Sequence, residues 1–170
     1  MHALELFRAG KLHDALEASA AETQRKPADP SPRDLLAQLL CFTGQLQRAD
    51  KHLETLALQF PARAPAIALL RQLLRAAEAR EQFYRDGRFP EPVVELTPVV
   101  RQHLEASVLM RVGDLSGAYK LLVAAESQRP RLAGTCNGTA FTDFRDVTDL
   151  LAPVFEVLTP TGKYGWVPMA

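Results

Sequence analysis

The residues able to do chemistry are few, and their spacing does not combine them. Four histidines (His2, His13, His52 and His103) and two cysteines (Cys41 and Cys136) show no ligand spacing among themselves. Asp143, Asp146 and Asp149 recur at three-residue intervals. Two carboxylates can divide acid and base work when a pocket separates their pKa values. On a helix, however, this run reads as a capped and solvated first turn. Thr161-Gly162-Lys163 lacks the upstream glycine of a phosphate loop. Asn137-Gly138-Thr139 matches a glycosylation acceptor, which matters only in a secreted chain. The serines and threonines form no nucleophile elbow. The expectation is a protein with no enzyme activity, no cofactor, no metal and no small-molecule substrate.

The elements that position these residues are written as a repeat. Leu6-Phe7-Arg8-Ala9-Gly10-Lys11-Leu12-His13-Asp14-Ala15 aligns with Leu40-Cys41-Phe42-Thr43-Gly44-Gln45-Leu46-Gln47-Arg48-Ala49, 34 residues on. Pro27 and Pro61 keep the same interval. Gly113, Ala118 and Pro130 follow Gly44, Ala49 and Pro61 by 69, twice 34 plus one, so a degenerate unit lies between. A period of 34 is the tetratricopeptide pattern of paired helices. The glycine ends helix A in a left-handed turn. The leucine opens helix B, the alanine lets B pack closely on A, and the proline stops B.

The fold expected is therefore mainly α: a tetratricopeptide-like α-solenoid of helical hairpins with a small mixed α/β tail. The units span about 1–29, 30–61, 62–98 and 99–130. Helices are expected over 2–9, 12–25, up to 43, 46–59, 65–85, 97–112 and 115–127, with Ser31 as a cap and Pro32 at the first helical position. Residues 131–170 do not repeat. They read as a turn over 131–139, a short strand over 140–144, a helix over 146–158 perturbed by Pro153, and a strand over 164–167. Trp166 is expected to pack on the Phe141/Phe155 side.

Composition agrees with helices. Leu (26) and Ala (25) supply 51 of 170 residues, and Gly is scarce at 9. Lys plus Arg (20) balances Asp plus Glu (20), which argues against a nucleic-acid binder or a polybasic membrane clamp. Glu5 stands where a signal peptide would need an apolar core, and no stretch reaches 18 apolar residues. Two cysteines make no disulfide framework, so reduced thiols in a cytoplasmic protein are expected.

The tail carries a more specific pattern. It reads Gly138-Thr139-Ala140-Phe141-Thr142-Asp143-Phe144, then Asp149-Leu150-Leu151-Ala152-Pro153-Val154-Phe155-Glu156-Val157-Leu158, then Gly162-Lys163-Tyr164-Gly165-Trp166-Val167-Pro168. With the leading Leu6–Leu12 and Leu39–Gly44 segments, it resembles the ImpE/SciE/TagJ family of type VI secretion accessory proteins. Members usually continue past the Trp-Val-Pro strand, so the chain looks like a shortened form. The resemblance implies a bacterial, cytoplasmic, non-enzymatic adaptor. It would bind the N-terminal helix of the small subunit of the contractile sheath and act near the ClpV-type ATPase in sheath disassembly. The alternative is a general tetratricopeptide scaffold or chaperone with another protein partner; an enzyme with its active site beyond residue 170 is a weaker third reading.

Tetratricopeptide arrays bind peptides in a groove lined by A helices. The register of Gly44 and Ala49 turns Gln38, Cys41 and Phe42 toward it, and Leu4, Phe7 and Arg8 in the first unit. It offers Ala68, Gln72 and Arg75 in the degenerate unit, then His103, Ser107, Met110 and Arg111 in the last. Aromatic, methionine and arginine side chains are suitable anchors. The same Phe7, Phe42 and Met110 could instead be inter-repeat core.

Overall fold

The computed structural model describes residues 2–170. Seven α-helices lie among them: α1 (Ala3–Arg8), α2 (Leu12–Arg25), α3 (Pro30–Phe42), α4 (Leu46–Gln59), α5 (Ala64–Asp86), α6 (Pro98–Arg111) and α7 (Leu115–Gln128). The bounds of α2 and α4 coincide with those read from the sequence. One cap differs: Asp29, not Ser31, precedes α3, and its side chain accepts from the Ser31 N–H at 3.0 Å. Pro30 then takes the first helical position, where its missing N–H costs nothing.

The same turn joins helix A to helix B three times. Gly10, Gly44 and Gly113 have φ of 75°, 71° and 85°. Each donates its N–H three residues back, to Phe7, Cys41 and Met110. The following residues, Lys11, Gln45 and Asp114, donate five residues back, to Leu6, Leu40 and Leu109. This pair of bonds is the Schellman closure, which satisfies two otherwise orphaned carbonyls. Nothing lies within 4 Å of where a Cβ would sit on these glycines, so the backbone angle alone demands them. Five residues on, Ala15, Ala49 and Ala118 are buried, as close packing of B on A requires.

The degenerate unit has a physical explanation. Counting 34 from Gly44 gives Glu78, and with no glycine there α5 runs on to Asp86. The chain divides into two compact units close to that point. The first holds the chain up to Glu78 with Pro160–Gly162, and the second holds Ala79–Thr159 with Lys163–Ala170. This differs from a repeat domain over 1–130 with a separate tail.

In the first unit, Ala15, Leu16, Leu36, Leu39, Leu40 and Ala49 form the core of α2, α3 and α4. Leu53, Leu56, Ala37 and Ile67 extend it to the start of α5.

In the second unit the tail supplies half the core. Ala79, Phe83, Val100 and Leu104 from α5 and α6 pack with Leu151, Val154, Tyr164 and Trp166. The strands of this unit are β1 (Glu91–Pro92, ahead of α6) and, in the tail, β2 (Gly134–Cys136), β3 (Thr139–Phe141), β4 (Val154–Leu158) and β5 (Tyr164–Pro168). β5 lies between β1, which is parallel to it, and β4, which is antiparallel with Val154 opposite Pro168.

The helix expected over 146–158 is not there. A 3₁₀ turn at Asp149–Leu151 leads into β4. Asp146 Oδ1 accepts from both the N–H and the hydroxyl of Thr148, a local turn that competes with helix. Pro153 cannot donate within a helix, and Val154–Leu158 finds its ladder on β5 instead. The turn expected over 131–139 is a hairpin. Asn137 (φ 51°) and Gly138 (φ 80°) join β2 to β3 as a two-residue turn with both φ values positive.

Candidate functional site

In the first unit, α1 and α3 present an aromatic pair. Phe7 and Phe42 stack with centroids 5.4 Å apart and planes at 29°. Phe42 is 66% exposed; Gln38 is also exposed on α3, and Leu4 and Arg8 are exposed on α1 on either side of Phe7 in sequence. Cys41 is half-buried, and burial pushes its thiol pKa up, so it is a poor nucleophile. On α5, Arg75 is exposed and Gln72 half-buried, with Arg75 Nη1 3.4 Å from Gln72 Oε1.

One charge cluster in this unit is centred on Arg71. Arg71 donates through Nε to Asp50 Oδ1 at 2.6 Å, and through Nη2 to Asp50 Oδ2 at 2.9 Å and Glu54 Oε1 at 3.2 Å. The Arg71 hydrogen bonds hold the Asp50 carboxyl below its usual range. A cavity of about 430 Å³ opens beside these groups, lined also by Gln47, Lys51 and Glu78.

In the second unit, Met110 and Arg111 are exposed and line a cavity of about 190 Å³ with Phe83, Tyr84, Ser107 and Leu150. His103 belongs elsewhere. It is 1% exposed, and its Nδ1 lies 2.9 Å from the Leu150 carbonyl. A ring so enclosed cannot line a groove, because the tail covers the face the repeat register assigned to it. Its Nε2 has no hydrogen-bond partner, and burial lowers its pKa, so it stays neutral with the proton on Nδ1. The groove residues thus form separate groups: Phe7 and Phe42 touch in the first unit, and Met110 and Arg111 share a cavity in the second.

Sequence reasoning missed the polar centre of the tail. Glu156 on β4 accepts from Arg80 through both oxygens, from the Tyr84 hydroxyl at 2.9 Å and from the Tyr164 hydroxyl at 2.5 Å. Trp166 Nε1 donates to Tyr164 Oη at 2.7 Å. Burial alone would raise the Glu156 pKa, but these donors outweigh it and hold the carboxyl below its usual range. Burial and the Glu156 bond push the Tyr84 hydroxyl up to about 12. A carboxylate with its lone pairs occupied is a fastener, not a base. The alternation Val154-Phe155-Glu156-Val157, read as a strand, would have turned Glu156 and Val154 to one face.

The aspartate run is also dispersed. Asp143 pairs with Arg129, Asp146 bonds Thr148, and Asp149 pairs with Arg145 at 2.5 Å. Arg129 is buried and forks onto Glu126 as well, at 2.9 and 3.0 Å. Trp166 packs on Phe83 (5.3 Å) and hydrogen-bonds Tyr164; Phe141, Phe144 and Phe155 form a separate row at 6.0 Å spacings. Lys163 leaves its turn to pair with Glu91 at 2.6 Å. Among the described residues no three His, Cys, Asp or Glu side chains gather as a metal site, and no helix is long and apolar enough to cross a membrane.

Repeated helical hairpins and a short sheet define a mainly α protein of the helical-repeat class. A family profile described as ImpE protein matches residues 138–170. Over all 170 residues the chain is 28% identical to the type VI secretion system accessory component TagJ of Pseudomonas aeruginosa, and it spans 60% of that relative's length. It also resembles the crystal structure of protein VPA1032 from Vibrio parahaemolyticus: TM-score 0.87, 28% identity, covering 98% of this chain and 63% of that one. The resemblance read from the tail motif is therefore found independently, as a similarity to a type VI secretion accessory component over the whole of this chain.

Proposed function

We propose that the chain is a cytoplasmic, non-enzymatic adaptor of a bacterial type VI secretion system. It binds a helical peptide from the N-terminus of the small sheath subunit and works near the ClpV-type ATPase that disassembles the sheath. The observation that carries this reading is the ImpE match over residues 138–170 together with full-length similarity to TagJ. Helical hairpins supply suitable surfaces, because an amphipathic helix binds by laying its apolar stripe against a groove. The repeat register offers candidates in each unit separately: Leu4, Phe7, Arg8, Gln38 and Phe42, with Gln72 and Arg75, in the first, and Met110 and Arg111 in the second. His103 leaves that set because it is enclosed.

Calorimetric titration of the chain with a synthetic N-terminal helix of the small sheath subunit tests the reading. One-to-one binding at micromolar or tighter affinity is the expected result. No heat with folded protein overturns it.

A further inference from the structure

We infer that α7 carries a docking seat for an amphipathic helix supplied by a partner protein, filling the place of a following repeat helix. The repeat register identifies the seat. Counted from Gly113, the residues Leu115, Tyr119, Leu122 and Val123 hold the positions of Leu46, Asp50, Leu53 and Glu54 on α4, and of Leu12, Leu16, Ser19 and Ala20 on α2. On α2 this face receives α3: Leu16 packs with Leu36, Leu39 and Leu40, and the Ser19 hydroxyl donates to the Pro32 carbonyl at 3.0 Å. On α4 it receives α5: Leu53 packs with Ile67, and Asp50 takes the Arg71 fork.

After α7 the chain passes into β2 instead of another helix. The face is left open, with Leu115 65%, Tyr119 70% and Val123 51% exposed. A cavity of about 190 Å³ lies along it, with Tyr119, Leu122 and Val123 as an apolar floor and Glu126, Arg145 and Asp149 as a charged rim. Both filled copies of this face hold a helix, so the shape offered is that of a helix. The chemistry differs in one respect. Where α4 presents Asp50 and Glu54 to Arg71, α7 presents Tyr119 and Val123. The occupant therefore carries apolar side chains where α5 carries Arg71, repeating at the spacing of one helix face, with polar groups toward the Arg145–Asp149 pair.

The inference rests on the reading that the chain binds a helix of a partner protein, and one titration separates the two. The probe is the synthetic N-terminal helix of the small sheath subunit, titrated into the full chain, Val123→Glu, Tyr119→Glu, the groove variant Phe42→Ala and the control Leu58→Ala. Both α7 positions are exposed, so unchanged far-ultraviolet dichroism is expected to show that the folds persist. The expected result is at least about a tenfold loss of affinity in Val123→Glu and Tyr119→Glu, with Leu58→Ala, whose side chain is 77% exposed on α4 and belongs to neither face, unchanged. Loss in Phe42→Ala with both α7 variants unchanged overturns the seat and leaves the adaptor reading standing. No binding to the unsubstituted chain overturns both. Sedimentation showing a dimer that Val123→Glu dissociates overturns the partner helix in favour of a second copy.

Discussion

Arg80 on α5 meets Glu156 on β4 with two parallel hydrogen bonds, Nε to Oε1 at 2.9 Å and Nη2 to Oε2 at 2.7 Å. Residues 76 positions apart in sequence are thus fastened with the geometry that gives guanidinium–carboxylate pairs their directionality. The Arg80 guanidinium also stands 5.0 Å above the Tyr84 ring, so the arginine is held from two sides.

Removing Glu156 should cost more than removing Arg80. Glu156→Ala leaves Arg80, Tyr84 and Tyr164 without their acceptor, and the loss expected is about 2–3 kcal/mol. Arg80→Ala removes a side chain that is 44% exposed, so its effect is discounted to about 1 kcal/mol. Urea unfolding of both variants checks the order; equal losses would refute it.

The interhelical turns predict a purely conformational penalty. Gly44→Ala adds a methyl group to open space but forces an L-residue to φ 71°. The expected destabilisation is about 1 kcal/mol, with Gly44→Asn costing less, because asparagine tolerates this region better. Thermal melts of the two variants against the parent measure it.

Acid should weaken the second unit through Asp143. The Arg129 hydrogen bonds lower its carboxyl from 3.8 to about 2. A depressed folded-state value gives stability that is complete above the unfolded value and lost as pH falls through the folded one. Urea midpoints should therefore decline between about pH 4 and about 2. Asp143→Asn should be less stable near neutrality and show a shallower decline.

His103 adds a second dependence at higher pH. Burial holds its folded pKa below 6.5, so its protonation opposes the native state. Its contribution is full above pH 6.5 and falls as pH drops through the lowered folded value. His103→Gln, which keeps a donor for the Leu150 carbonyl, should flatten that part of the stability profile while costing some stability at pH 8.

Helices were legible because each boundary had a local chemical cause. Gly10, Gly44 and Gly113 marked the turns, and the alanines five residues later marked the close packing. The tail was not, because its structure is set at long range. Val147, Leu150, Leu151, Val154, Phe155 and Leu158 carry helical spacing, yet β5 and the α5–α6 core recruit that stretch as turn and strand. Asn137-Gly138 is a local hairpin signal, because both residues accept the positive φ that a two-residue turn needs. The Glu156 fastener could not be seen in advance, because no local pattern says that Arg80 lies opposite. His103 misled for the same reason: its helix position was right, but the tail covering it was invisible to periodicity.

The sharing of one core by α5, α6 and β5 sets a clock on synthesis. Phe83 leaves the ribosome 83 residues before its partner Trp166. At about 5–20 residues per second, that is a wait of roughly 4–17 seconds. During it, Ala79, Phe83, Val100 and Leu104 are displayed without the residues that will cover them. The nascent second unit therefore passes through a window in which holdase chaperones have an apolar surface to grip. The α2–α4 core of the first unit has emerged before that window opens.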